Sequence, residues 1–206
     1  MSHEPTADDR HRLPTDTDDG LLLVISGPSG VGKTTITRGV ERAITDSVFS
    51  VSMTTRPKTA KDVEGVDYRF VGEREFETIE SEGGLLESAT VYGNRYGTPR
   101  AWVDEQLERG RVVILEIDVQ GAKQVKAKVP EAFCMFIMPP SESVLLERLR
   151  GRKREAEDVI QRRFAEAQRE IAAAEAAGIY DVFVVNDDLD RAIPEAIAAV
   201  ESRRRG

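Results

Sequence analysis

The sequence predicts an α/β fold, a parallel sheet with helices on both faces, and three observations predict it. Continuous apolar runs of strand length recur along the chain, apolar stripes of helical spacing lie between them, and the first run opens directly into a glycine-rich loop and a helix. With 206 residues, 40% hydrophobic and 32% charged, the chain is long enough for one domain with a real core and short for two.

Taken in order, residues 1–19 carry Glu4, Asp8, Asp9, Asp16, Asp18 and Asp19 with almost nothing large and apolar, and read as a disordered acidic tail. Leu21 to Ile25 is a short apolar run ended by glycines, the signature of a strand buried on both faces. Similar runs stand at Val112–Leu115, Phe133–Met138 and Val182–Val185. A helix is expected over Thr35–Ala43, and another begins near Pro99, a first-turn proline, and stops at Gly110. A third spans Glu155–Ala177, where Val159, Ile160, Phe164, Ala167, Ile171 and Ala174 form one apolar stripe. Residues 52–98 differ: they are rich in glycine and hold short β-like pieces such as Tyr68–Val71, and read as an inserted substrate subdomain. The Arg203-Arg204-Arg205 ending reads as a solvated helix C-terminus.

Composition excludes several function classes. Lys plus Arg is 29 against 37 for Asp plus Glu, a formal charge of −8, which argues against nucleic acid and anionic membranes as partners. His3 and His11 are the two histidines, so the folded part has none for base or metal duty, and serine-histidine and histidine-zinc chemistry are set aside. The single cysteine, Cys134, lies in an apolar run and reads as core. No apolar run approaches the roughly 20 residues of a membrane span, and no apolar signal core stands at the N-terminus. A cytoplasmic protein is expected; the oligomeric state is not fixed by sequence.

After the first strand comes Gly27-Pro28-Ser29-Gly30-Val31-Gly32-Lys33-Thr34, a full match to G-x-x-x-x-G-K-S/T. Its glycines let backbone N–H groups point inward at phosphate oxygens, and the following helix adds its positive end. Lys33 would bind the β- and γ-phosphates and Thr34 would ligate Mg²⁺. Such a loop leaves GTPase switch, ATPase motor and small-molecule kinase open. No guanine-reading Asn-Lys-x-Asp segment is found, whereas Arg148, Arg150, Arg152, Lys153 and Arg154, followed by Arg162 and Arg163, form a cationic stretch between two helices. Phosphoryl transfer spreads negative charge over the migrating group, and arginines on a mobile segment stabilise it. Arg152 and Arg163 are assigned that role; Lys153, Arg154 and Arg162 read as solvated charge.

Together with the phosphate loop, Ser50-Val51-Ser52-Met53-Thr54-Thr55-Arg56, Gly65-Val66-Asp67-Tyr68, Gly93-Asn94-Arg95-Tyr96-Gly97-Thr98, Leu115-Glu116-Ile117-Asp118-Val119-Gln120-Gly121 and Val185-Asn186-Asp187-Asp188-Leu189 resemble, in order, the guanylate kinase family. The resemblance runs from about Leu21 to about Val200. It implies a P-loop nucleoside monophosphate kinase fold, with core 20–51 and 99–206, a GMP-binding subdomain at about 52–98 and a helical lid at about 148–160. It implies transfer of the γ-phosphoryl of ATP to GMP with Mg²⁺. Arg56, Tyr68 and Tyr96 would hold the GMP phosphate; Ser52, Glu87, Thr98 and Asp118 would read the guanine or lie beside it. Arg152 and Arg163 match the family's lid and post-lid arginines, and Asn186 with Asp187 its adenine-side loop. Guanine chemistry agrees, since its N1–H and 2-amino donors suit a carboxylate such as Glu87, whereas adenine would set a lone pair against it. A phosphate oxygen is already ionised at neutral pH, so the missing histidine is no obstacle.

Two departures stand out. After Arg56 the family continues to a second phosphate-binding arginine, then glycine and glutamate; here the run is Pro57-Lys58-Thr59-Ala60-Lys61-Asp62, with Thr59 in the arginine's place and Lys58 or Lys61 as substitutes. The lid reads Gly151-Arg152-Lys153-Arg154-Glu155, where the family tends to have Gly and Thr between Arg and Glu. Two rival readings are a non-catalytic phosphopeptide-binding module of the same fold, which would lose the lysine-bearing loop, and a related kinase acting on a phosphorylated sugar, against which Glu87 and Asp118 argue.

Overall fold

The computed structural model describes residues 20–91, 93–151 and 156–205; the tail expected over 1–19, Tyr92, residues 152–155 of the expected lid and Gly206 lie outside the described residues. A five-stranded, all-parallel sheet has the order β2-β7-β1-β8-β9, built from β1 (Leu21–Ser26), β2 (Ser47–Phe49), β7 (Val112–Glu116), β8 (Phe133–Met138) and β9 (Val182–Val185). The four apolar runs of the sequence are four of these strands.

Alternation within the runs decides what each face meets. Leu21, Leu23 and Ile25 face one cluster with Val112, Ile114, Met135 and Ile137, covered by Ile36 and Val40 of α1 (Lys33–Ala43) and Ala192, Ala196 and Val200 of α7 (Leu189–Arg205). Leu22 and Val24 face the other, with Val113 and Leu115, covered by Val103 of α3 (Arg100–Glu108) and Ala122 and Val125 of α4 (Val119–Lys128). Each buried Leu, Ile, Val or Met of the runs stabilises the fold by about 1.5–3 kcal/mol, so two-sided coverage explains why the runs are unbroken. The C-terminal end of β1, the middle strand, is therefore held rigidly between β7 and β8, where ligands of open parallel sheets bind.

A second sheet of order β4-β3-β6-β5 holds β3 (Met53–Thr54), β4 (Arg69–Phe70), β5 (Leu85–Val91) and β6 (Asn94–Pro99). Its small core is Phe76 of α2 (Glu73–Ser81) packed with Met53 and Leu85. Two helices, α5 (Glu142–Gly151) and α6 (Glu157–Ala177), flank the segment 152–155; Ile160 and Ala167 are buried against Leu145 and Leu149, with Phe164 half-buried beside them. The ion pair of Arg150 with Glu157 joins the two helices at the base of that segment.

The structure corrects three expectations. Pro99 is the N-cap of α3, extended at φ −62 and ψ 119, one residue before the first turn. The run 182–185 is the edge strand of its sheet and leaves Phe183 40% and Val185 39% exposed, whereas a strand covered on both faces would bury them. Arg204 is not solvated: it grips buried Asp46 with two hydrogen bonds of 3.0 and 2.6 Å, tying α7 to the turn before β2. Cys134 is buried as expected, and its thiol is pushed up to about 11 by that burial.

Candidate active site

β1 ends at Ser26 and the phosphate loop turns at Gly30 and Gly32, both left-handed at φ 86 and 93. At Gly32 a Cβ would also stand 2.5 Å from Asn186 Nδ2, so the loop needs glycine for space as well as for conformation. Lys33 opens α1, and its Nζ donates to Gly27 O at 3.1 Å, folding the ammonium over the loop. Thr34 Oγ1 donates to Glu116 Oε1 at 2.7 Å. Residues 27–30 and 32–35, with Glu116 and Glu170, line a cavity of ≈ 350 Å³.

Two of these residues escaped the sequence reading. Glu116 ends the apolar run of β7 and pairs in register with Ile25, which sets its carboxylate beside the loop; an acid closing a buried strand next to the loop's own strand was the available signal. Glu170 lies on α6 seven residues after Arg163, hence on the same helix face. Burial pushes its carboxyl above its ordinary value, opposed by nearby Lys33, and its buried Oε2 accepts no hydrogen bond. Only that spacing pointed to it. From the same helix Arg163 Nη2 donates to Ser29 Oγ at 2.7 Å, which brings Arg163 to the loop. Arg152 lies outside the described residues.

On the loop's other side a cavity of ≈ 360 Å³ is lined by Gly30, Val31, Gly32, Arg148 and residues 186–189. Asn186 is buried; its Nδ2 donates to Val31 O at 2.7 Å, and its Oδ1 has no partner. Arg148 donates to Asp187 O at 3.3 Å. Asp187 and Arg148 thus meet at this cavity with Asn186.

The expected acceptor residues other than Asp118 lie on or beside the strands of the second sheet. The Arg56 guanidinium stands 5.3 Å from the centroid of Tyr68, which meets Tyr96 edge-on at 5.6 Å between centroids. Arg56 is held by Asp62 in a two-pronged contact, Nη1 to Oδ2 at 3.1 Å and Nη2 to Oδ1 at 2.9 Å. That fork, with the Thr59 N–H at 2.7 Å from Asp62 Oδ2, holds the Asp62 carboxyl well below the usual carboxylate range. Thr59 is exposed, and Lys58 shares the Phe70 ring with Arg56, its Nζ 5.8 Å from the centroid.

Glu87 is 5% exposed and its Oε1 accepts from Thr98 Oγ1 at 2.7 Å. Burial pushes its carboxyl above the ordinary value, with neighbouring Asp118 adding to the rise and the Thr98 bond opposing it. Asp118 is exposed and caps α4, accepting from the Gly121 N–H at 2.7 Å, which leaves its second oxygen for other use. Ser52 is half-buried just before β3, its carbonyl accepting from the Arg69 N–H at 2.9 Å.

Among the described residues no group of three or more His, Cys, Asp or Glu could hold a metal, and no helix is long and apolar enough to cross a membrane. A P-loop magnesium asks little of the protein, since it keeps several waters and takes its other oxygens from phosphates; the Thr34 hydroxyl beside the Glu116 carboxylate is a hard-oxygen pair that fits it.

The family model for guanylate kinase matches residues 20–203. The guanylate kinase of Anaeromyxobacter dehalogenans is 43% identical over 205 residues, covering 99% of this chain and 87% of that protein. That of Thermosynechococcus vestitus is 47% identical over 174 residues, covering 84% and 90%. The crystal structure of guanylate kinase from Anaplasma phagocytophilum aligns with a TM-score of 0.68 at 32% identity, over 91% of this chain and 87% of that one. On its sequence, its P-loop kinase fold and these relatives, the chain belongs to the guanylate kinase family and is a phosphotransferase.

Proposed function

We propose that the protein transfers the γ-phosphoryl group of ATP to GMP and dGMP, giving ADP and GDP or dGDP, as a cytoplasmic enzyme of purine nucleotide metabolism. Glu87 carries the reading: a buried carboxylate, held by a threonine hydroxyl, presents acceptor oxygens where a base with two adjacent donors fits. Guanine supplies N1–H and the 2-amino group. Adenine would place a lone pair against a desolvated carboxylate, a mismatch that sites of this kind reject severely.

Residues 52–98 serve as the GMP subdomain and about 148–160 as the lid. Arg56, with Tyr68 and Tyr96, holds the GMP phosphate, and the phosphate exchanges for Asp62 in the guanidinium fork. Ser52, Thr98 and the second oxygen of Asp118 complete the guanine side. The donor nucleotide is placed by Asn186: its Nδ2 is committed to Val31 O, so its unpartnered Oδ1 accepts from the 6-amino group of adenine, whereas the O6 of guanine would repel it. Asp187 lies beside it on the same loop.

When bound, ATP supplies the phosphoryl group and Mg²⁺ offsets its charge. The backbone N–H groups of residues 29–34 would cradle the donor phosphates, Thr34 and Glu116 would hold the metal, and Lys33 would stay with the migrating group. Arg163, already at Ser29, and Arg152 add positive charge where charge spreads in the transition state and help exclude water. The intact Lys33 loop favours catalysis over a phosphopeptide-binding role, and a carboxylate facing the acceptor favours a base over a sugar. A coupled ADP-release assay with GMP, dGMP, AMP, CMP and UMP tests the proposal: release is expected with GMP and dGMP and near background with the others. Equal rates with GMP and AMP would overturn it.

A further inference from the structure

β5 is the outermost strand of the second sheet, so one edge of it carries N–H and C=O groups that no strand pairs. It is also irregular at the place that matters. Leu85 pairs with Pro99 and Ser88 with Gly97, so two residues on β5, Leu86 and Glu87, stand against one on β6, Thr98. A bulge of this kind redirects the side chain it carries, and Glu87 is that side chain. Nothing within the sheet fixes the free edge of β5 just after the bulge.

The face of α4 does so. Gly121, Gln124 and Lys128 stand three and four residues apart, hence on one face of the helix. The Gln124 side-chain amide meets the Ser88 backbone twice: its Oε1 accepts from the Ser88 N–H at 3.1 Å and its Nε2 donates to Ser88 O at 2.9 Å. This is what a neighbouring strand would offer at that position, supplied by one side chain. Lys128 Nζ donates to Leu85 O at 2.9 Å, closing the other side of the bulge. In the first turn of the same helix Gly121 comes so close that a Cβ there would lie 3.2 Å from Glu87 Oε2.

We infer that Gln124 is a positioning residue for acceptor specificity: by completing the β5 edge at Ser88 it locks the bulge and aims the Glu87 carboxylate at the guanine. It touches neither the phosphates nor the base. Because α4 follows directly on β7, whose last residue Glu116 holds Thr34, the same rigid helix sets the base-reading carboxylate in register with the phosphate loop.

The inference rests on the guanine reading proposed above, and its test separates the two. Gln124→Ala removes both hydrogen bonds; Gln124→Met removes them while keeping the side-chain volume, which covers a packing defect in the first. Both are compared with the unmutated enzyme and Glu87→Gln for GMP and AMP. In both Gln124 variants we expect KM for GMP to rise on the order of tenfold, the scale of one or two net hydrogen bonds. Near-unchanged kcat, unchanged KM for ATP and a GMP-to-AMP ratio lowered by the same factor should accompany it. A merely structural role would lower thermal stability and active fraction, hence kcat, and leave KM and the ratio alone; that result overturns the inference. If Glu87→Gln abolishes the preference while both Gln124 variants keep it, the inference fails and the guanine reading stands. If the unmutated enzyme shows no preference, both fail.

Discussion

In the function proposed here, the phosphate loop takes its ligand with backbone, in eight consecutive residues at the end of one buried strand, whereas the acceptor is met by side chains from the segments flanking β3, from β5 and β6, from the loop before β4 and from the cap of α4. The first is rigid because β1 is covered on both faces by two apolar clusters, the second because hydrogen bonds such as Thr98 to Glu87 and Gln124 to Ser88 fix a small sheet with a modest core of its own. Backbone recognition is indifferent to the base and supplies charge neutralisation; side-chain recognition supplies selectivity. Substitutions in the two regions should therefore separate rate from acceptor affinity.

The largest separation is expected at Lys33. Lys33→Ala should lower kcat by about 10²–10³-fold, as loss of a transition-state donor does, while GMP affinity measured by titration stays unchanged. A loss confined to GMP binding would erase the distinction between the regions. Arg56→Ala should do the converse, raising KM for GMP by roughly 10–150-fold, the equivalent of about 1.5–3 kcal/mol for a charged hydrogen-bonded contact, with KM for ATP unmoved. Arg56→Lys should not restore it, since an ammonium lacks the planar fork that Asp62 already occupies.

A pH profile sharpens the same contrast. Glu87 has a folded-state pKa above the ordinary value of 4.5, so acidification protonates it at a pH where exposed carboxylates are still ionised. The protonated form loses an acceptor facing guanine, and KM for GMP should rise toward the acid side by up to about tenfold per pH unit; Glu87→Gln should flatten that limb. Because the native state then binds this proton more tightly than the unfolded chain, the group's contribution to stability falls as pH rises from 4.5 through the raised value. The smallest effect is expected at Thr59→Arg. Thr59 is exposed, so a restored guanidinium should lower KM for GMP by at most about tenfold and less at high ionic strength. An unchanged KM, with Lys58→Ala and Lys61→Ala also silent, would show that this loop does not face the acceptor.

The two regions also differ in how far the sequence reveals them. Strands β1, β7 and β8 were legible because burial on both faces leaves an uninterrupted apolar run, and the loop because its function resides in contiguous glycines. β9 showed the same pattern yet lies at an edge, since an apolar run does not record how many neighbours a strand has. Glu87, Tyr68 and Tyr96 were identified only through family order: alone, a buried glutamate or a half-buried tyrosine is indistinguishable from packing. Glu116, Glu170 and Gln124 went unread because their roles depend on which strand lies beside which and on which face of a helix meets a bulge, neither of which is local in sequence. Arg204 was misread for the same reason, its partner Asp46 lying 158 positions away.

The most direct measurement is transfer of labelled γ-phosphate from ATP to GMP and to AMP, followed side by side in the unmutated enzyme and Glu87→Gln. Labelled GDP is expected from the unmutated enzyme with kcat/KM for GMP on the order of 10⁴-fold above that for AMP, the scale on which a buried, mispaired polar group rejects an analogue. The ratio should shrink sharply in Glu87→Gln because the amide can present either a donor or an acceptor. A comparable yield from both acceptors in the unmutated enzyme, or a ratio that Glu87→Gln leaves intact, would contradict the guanine reading.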